Sequence, residues 1–194
     1  MTRSFPRFRE MLLRMFATRT NYWAEFGVDM ALIVFLIFEG WRRNTGGLPM
    51  ALLAVALGLL IFSFVEYCVH RWLFHLRVPL FADGHLLHHK NPFGYDSLPF
   101  FLPALVWVGL TVLCVLVMPI GFAFLLTGAA TFGYVTYGLT HFAIHHVRFK
   151  QPLLRRWAAA HHIHHHHPDS NFGVTTPLWD IILGTRYVQH SRKA

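Results

Sequence analysis

Charge is scarce in this chain of 194 residues: Asp, Glu, Lys and Arg make up 13% of it, where a soluble domain carries roughly 25%. Acids are the scarcer kind, 9 against 17 Lys and Arg. With 55% hydrophobic residues and a mean hydropathy of +0.42, the chain is too apolar for an ordinary water-soluble domain. Its long apolar runs exclude a disordered one. Cysteine is nearly absent. Cys68 and Cys114 both lie inside apolar runs, which excludes a disulfide framework and leaves the redox compartment open. The first 69 residues contain no histidine, although the chain holds 15. The basic residues flank apolar spans and form no continuous stripe, so the net charge of +8 points to anionic lipid headgroups and not to nucleic acid.

Residues 1–25 interleave Arg3, Arg7, Arg9, Arg14 and Arg19 with Phe5, Phe8, Leu12, Leu13, Met15 and Phe16. Such a segment either lies on a membrane surface as a basic amphipathic helix or packs on the protein beside the membrane. Residues 26–194 read as one membrane domain with four apolar segments, about 26–41, 48–69, 100–118 and 120–140. Asp29 and Glu39 cut the charge-free length of the first below the ~20 residues of a simple span. Pro119 leaves almost no loop between the last two, which predicts a tight helical hairpin. If all four cross, residues 1–25, 70–99 and 141–194 share one side with 5, 3 and 7 basic residues, against Arg42 and Arg43 opposite. The positive-inside rule makes the first side cytoplasmic. The expected fold is all-α, a multi-pass integral membrane protein with about four transmembrane helices.

The histidines fall where those spans end. They form HRWLFH (His70, His75), HLLHH (His85, His88, His89), HFAIHH (His141, His145, His146) and HHIHHHH (His161 to His167 around Ile163), with His190 apart. All four clusters lie just beyond a membrane boundary on the same side. Residues three and four apart share a helical face, so His85, His88 and His89 can aim at one point, and His161, His164 and His165 repeat that pattern. His141 and His145 are an i, i+4 pair. His70 and His75 are five apart, which needs either a distorted helix or two separate ions. Neutral imidazole is a common ligand of Zn, Cu, Fe and Ni. One ion takes four to six ligands, so about ten convergent histidines suggest two ions. His146, His162 and His166 are alternative ligands or hydrogen-bonding neighbours; for His166, His167 and His190 a solvated position is the simpler reading. Ligating histidines usually donate their other N–H to a carboxylate or carbonyl; Glu66, four residues before His70, and Asp83, two before His85, are candidates to accept, and each is equally readable as a cap or a surface charge.

The motifs EYCVHRWLFH, GHLLHH, HFAIHH, HHIHHHHP and NFGVTTPLWDIILGT, in this order, resemble the fatty acid hydroxylase/sterol desaturase superfamily of membrane di-metal oxygenases over residues 62–186. The spacing is most similar to that of the fatty acid 2-hydroxylases. The resemblance implies a helical membrane domain capped by cytoplasmic helices around two metal ions, functionally iron. It implies as ligands His70, His75, His85, His88, His89, His141, His145, His161, His164 and His165, with His162, His165 and His166 as the other register of the last cluster. It also implies O2 as co-substrate, a lipid acyl chain as substrate and, since no haem-domain-like tail is present, electrons from a separate protein. A compact bacterial member would sit in the inner membrane with its metal site facing the cytoplasm. Zinc satisfies imidazoles equally well and could replace iron in a purified sample.

The leading expectation is therefore oxygen-dependent hydroxylation of a lipid acyl chain. Trp72, Phe74, Phe93, Phe100 and Phe101 near the clusters suit an apolar slot, or equally core packing and an interfacial belt. Within the same superfamily, the alternative is a desaturase, or a hydroxylase of sterols, carotenoids or headgroups. Outside it, the alternatives are a His-rich metal-binding or metal-transporting membrane protein and a membrane cytochrome. Transport needs polar groups near the bilayer midplane, where the spans offer little. Haem needs single axial histidines from facing helices, not triplets.

Overall fold

A computed structural model describes residues 17–75, 81–95 and 97–189. Regular structure among them is entirely helical. In chain order the helices are α1 (Arg19–Arg42), α2 (Gly47–Cys68), α3 (Phe81–Lys90), α4 (Leu102–Val115), α5 (Ile120–His146), α6 (Pro152–His166) and α7 (Leu178–Ile182), with a π-helical turn, Val69–Phe74, continuing α2. The surface segment expected at 1–25 lies outside the described residues as far as residue 16. From Arg19 onward it is already α1, capped by Thr18 Oγ1, which accepts from the Asn21 N–H at 3.2 Å.

Two helices, Gly47–Phe74 and Ile120–His146, are long and apolar enough to cross a bilayer. The other two expected spans differ in kind. α4 has 14 residues, about 21 Å at 1.5 Å per residue, against a hydrocarbon core of about 30 Å. α1 has 24 residues but carries acids. The structure turns two of them inward and leaves the third near the helix end. Glu25 and Asp29 are buried against the bundle, and Glu25 Oε1 accepts from the Tyr134 hydroxyl at 2.6 Å. Glu39 lies near the helix end and pairs with Arg42 and Arg43 at 3.3 and 2.9 Å.

The centre of the fold is α5. Its buried face is made of small residues, among them Ala123, Gly128, Ala129, Ala130 and Gly133, so that α1 and α2 pack along it closely and α4 leans on its first half. Without a hydrophobic difference between lipid and side chain, such close approach is what holds membrane helices together. Gly58 of α2 shows how tight the fit is. A Cβ there overlaps the Leu126 carbonyl oxygen and meets the Ala129 Cβ at 2.9 Å. Gly58→Val is expected to push α2 off α5 and lower stability by about 1–3 kcal/mol or more, read as a fall in melting temperature in detergent. An unchanged melting temperature contradicts this packing.

At the other end of α5, α6 folds back over Ile144 through Ala158, with Val174 completing the cluster. The Trp157 indole N–H donates to the Val174 carbonyl at 2.9 Å. This places the histidine-bearing ends of α2, α3, α5 and α6 together.

Candidate metal centre

The ten histidines His70, His75, His85, His88, His89, His141, His145, His161, His164 and His165 converge on two points. His70, His75, His85, His89 and His164 each bring one ring nitrogen within 4.8 Å of the others, and so do His88, His141, His145, His161 and His165. His162 and His166 are exposed and belong to neither group. His146 is also outside, stacked on Phe142 with ring centroids 4.1 Å apart. His167 stacks on Tyr187 at 4.5 Å. His190 lies outside the described residues.

Local structure explains the sorting. His70 and His75 sit on and just after the π-helical turn Val69–Phe74. A π-turn bonds i to i+5, which brings residues five apart onto one face. Of the two readings open for this pair, a distortion or two ions, the structure shows the distortion, with both rings in one group. The triplets behave differently from the expected single point. His85 and His89 enter the first group while His88 enters the second; His161 and His165 enter the second while His164 enters the first. At 100° per residue an i, i+4 pair diverges by about 40°, whereas adjacent residues diverge by a full 100°. Each triplet therefore spans both groups, and α3 and α6 tie the two together.

The distances have the scale of a coordination sphere. Nε2 of His85 lies 3.2 Å from those of His70 and His75 and 2.9 Å from that of His89. Nε2 of His161 lies 3.1 Å from those of His145 and His165. Two nitrogens at right angles on an ion, each about 2.1 Å away, are about 3.0 Å apart. Hydrogen bonds between rings do not account for the cluster, because His85 Nε2 has three imidazole neighbours and carries at most one hydrogen. Two rings have their tautomer set from behind. His70 Nδ1 lies 2.6 Å from the Phe172 carbonyl and His164 Nδ1 lies 2.8 Å from that of Ser170. A carbonyl only accepts, so Nδ1 holds the hydrogen and Nε2 turns a lone pair inward. Several lone pairs facing each other in a buried space repel unless a cation lies between them, and the donor set fits a metal ion in each group.

Protonation agrees. Burial, reinforced by the neighbouring imidazoles, lowers the pKa of His89 to about 4 and that of His165 to about 2. Burial also lowers His164 to about 3, against the opposing pull of the Ser170 carbonyl. Burial depresses His85 and His161 as well. At neutral pH these rings are uncharged, as a ligand requires. With metal removed, the sign of the pH effect follows. Above about pH 6.5, the free imidazole value, these groups are neutral in both folded and unfolded chains. Below it the unfolded chain takes up protons that the folded one refuses, until His89 and His164 themselves titrate near 4 and 3. The metal-stripped protein should therefore lose thermal stability as the pH falls from 7 toward 4. A flat or rising melting temperature over that range contradicts the burial of neutral rings.

Glu66 has another place than that beside a ligand. Glu66 does not reach an imidazole: Oε1 accepts from the Val174 and Thr175 N–H groups at 2.7 and 2.9 Å, and Oε2 accepts from the Thr175 hydroxyl. Asp83 is exposed in the first turn of α3. Backbone carbonyls of the loop after α6 take the role expected of carboxylates, and two acids hold that loop. Asp180 accepts from the Phe172 and Gly173 N–H groups at 2.9 and 2.8 Å and from the Thr185 hydroxyl at 2.7 Å. Glu66 takes the next two N–H groups. Asn171, at φ 55°, turns the chain and donates to the Ala160 carbonyl at 3.0 Å. Backbone carbonyl acceptors leave no side-chain trace in a sequence. The two acids, Glu66 and Asp180, are the parts of this arrangement that a sequence can show.

Aromatic rings wall the centre. Phe172 lies 5.6–5.9 Å from the rings of His70, His75 and His164. Phe74 stacks on His85 at 5.0 Å and Tyr137 on His141 at 5.8 Å. Of the other aromatics named from sequence, Phe93 meets His146, Phe100 and Phe101 pack on each other, and Trp72 packs near Tyr67. An apolar groove of about 290 Å³, lined by residues such as Leu36, Val112 and Phe124, lies toward the opposite end of α5.

Comparison with known proteins follows the same lines. Residues 55–185 match the family model described as Fatty acid hydroxylase. A dihydroceramide fatty acyl 2-hydroxylase of Arabidopsis thaliana is 31% identical over 192 residues, covering 93% of this chain and 79% of that protein. The fatty acid 2-hydroxylase of Homo sapiens is 34% identical over 143 residues, 66% of this chain and 38% of its own length. Among solved structures, full-length scs7p, of which only the hydroxylase domain is visible, matches with a TM-score of 0.74 and 25% identity over 86% of this chain and 67% of that one.

Proposed function

The chain belongs to the fatty acid hydroxylase family, and from that premise we propose that it hydroxylates a C–H bond of a lipid acyl chain at a pair of histidine-held iron ions. An unactivated methylene has no acidic proton for a side chain to remove, so iron with O2 supplies the oxidising chemistry. The balance is R–H + O2 + 2 electrons + 2 H⁺ → R–OH + H2O, with the electrons from a separate donor protein. The names of the relatives, which include dihydroceramide and ceramide hydroxylases, make a ceramide-type acyl chain the first substrate to test.

The chain's own residues perform the supporting work. Five imidazoles hold each ion: His70, His75, His85, His89 and His164 one, and His88, His141, His145, His161 and His165 the other. The carbonyls of Phe172 and Ser170 fix two of the rings; Asp180 holds the Phe172 carbonyl's peptide through the Gly173 N–H, the Thr185 carbonyl holds that of Ser170 through the Asn171 N–H, and Glu66 anchors the loop just beyond. Phe172, Phe74 and Tyr137 keep water from the ring faces. We further propose four crossings, with a surface segment at 1–25 ahead of a single domain at 26–194. The helices around the ions then form a cap on the cytoplasmic face of a bacterial inner membrane. The basic residues gathered on that side support this orientation.

The observation that carries the reading is the pair of groups of five ring nitrogens, each within 4.8 Å of the others in its group. Mass spectrometry of lipids from cells with and without the expressed gene tests it. A gain of one oxygen on an acyl chain is the expected result. Loss of two hydrogens assigns desaturation instead, and an unchanged lipid profile in cells making folded, iron-loaded protein overturns the reading.

A further inference from the structure

The five-residue helix α7 is inside out for a helix in water. Asp180, its one charged residue, is 1% exposed. Leu178, Ile181 and Ile182, which share a face by their i, i+3, i+4 spacing, are 39%, 55% and 59% exposed, and Leu183 after them is 43% exposed. The buried carboxylate is fully occupied by the Phe172, Gly173 and Thr185 donors, so this orientation is built and locked.

The position of α7 says what covers that face. Its Trp179 indole N–H donates to Ser63 Oγ at 3.0 Å, and its ring lies 4.6 Å from that of Phe64. Ser63 is 16 residues into α2, about 24 Å along an axis that spans roughly 30 Å of hydrocarbon. The exposed flank of α2 at Phe64 and Val65 thus runs directly onto α7 near the bilayer boundary, the depth at which tryptophan collects. Just beyond lie two cations. Arg186 is exposed. The Arg71 guanidinium donates to the Tyr67 hydroxyl at 2.8 Å and lies 5.5–5.8 Å from the rings of Tyr67, Trp72 and Phe172. No ion pair is formed by either among the described residues.

We propose that α7 and Leu183 are a membrane-surface wedge, inserted into the interface beside α2, with Arg71 and Arg186 facing the phosphates of anionic lipids. The occupant is a lipid surface because the apolar face continues a bilayer-facing helix and the adjoining charge is positive. The wedge and the histidine centre share Asp180, which holds the Phe172 carbonyl behind His70. Membrane contact and ring orientation are therefore carried by one element. The inference stands on the packing of α7 and does not require the proposed reaction.

The test uses the full chain with Cys68→Ser and Cys114→Ser, an environment-sensitive fluorophore on Ile182→Cys, and nanodiscs of phosphatidylcholine and phosphatidylglycerol. Blue-shifted emission is expected, quenched more by nitroxides near the lipid headgroup than by mid-chain ones, while a label on Asp169→Cys emits as in water. Leu183→Cys provides a second reporter if the first variant does not fold. Emission as in water with ready quenching by aqueous iodide overturns the proposal. So does a shielded label that lipid nitroxides do not quench, the mark of a second copy of the chain covering α7.

Discussion

Alanine at His85 or His161 is expected to halve the metal content, from two ions per chain to about one, and to lower hydroxylated product by about a hundredfold or more. The size follows from each ring's place. His85 Nε2 lies within 3.2 Å of three other imidazole nitrogens in its group, and His161 Nε2 within 3.1 Å of two in the other. Changes in the groups that merely orient ligands cost 10–100-fold in affinity or activity, and loss of a ligand from the middle of the set costs at least as much. Because α3 and α6 each serve both groups, the second ion should also be held more weakly in each variant. His162→Ala and His166→Ala, exposed on the same helix as His161, should keep both ions and near-normal product. Elemental analysis of purified protein together with lipid mass spectrometry checks all four. Full metal content in His85→Ala contradicts the grouping, as does loss of metal in His162→Ala.

Asp180→Ala carries the second large effect. It strands the Phe172 N–H, a buried donor whose orphaning costs about 1–3 kcal/mol, and the half-buried Gly173 N–H, and frees the loop whose Phe172 carbonyl faces His70 Nδ1 at 2.6 Å. Metal affinity should fall by about 10–100-fold, measured by competition with a chelator, even though Asp180 touches no imidazole. Glu66→Gln is the milder companion. Its amide oxygen still accepts from the Val174 and Thr175 N–H groups, and only the Thr175 hydroxyl loses its acceptor. Unaltered affinity in Asp180→Ala assigns the loop a purely structural part.

The convergence of imidazoles was legible because it needs little tertiary knowledge: helical spacing gathers the rings, and apolar runs put them on one side. Which ring joins which group was not, since His85 and His88 are both compatible with one shared face until α3 and α6 are set against each other. The five-residue gap between His70 and His75 carried its own warning, and the π-turn at Val69–Phe74 resolves it. Asp29 looked like a break in a span. It is buried because α1 turns it toward α5 and away from lipid, a choice that periodicity over one helix does not reveal. Glu66 illustrates the opposite error. Four residues before His70 it invites pairing with that ring, yet the loop from Val174 competes with backbone donors that no side-chain pattern records.

Anomalous X-ray diffraction at the iron edge, on crystals of iron-loaded protein, addresses the paired centre directly. Two peaks are expected, one bounded by His70, His75, His85, His89 and His164 and the other by His88, His141, His145, His161 and His165, each at ligand distance from ring nitrogens. A single peak, or density beside His162 and His166, contradicts it.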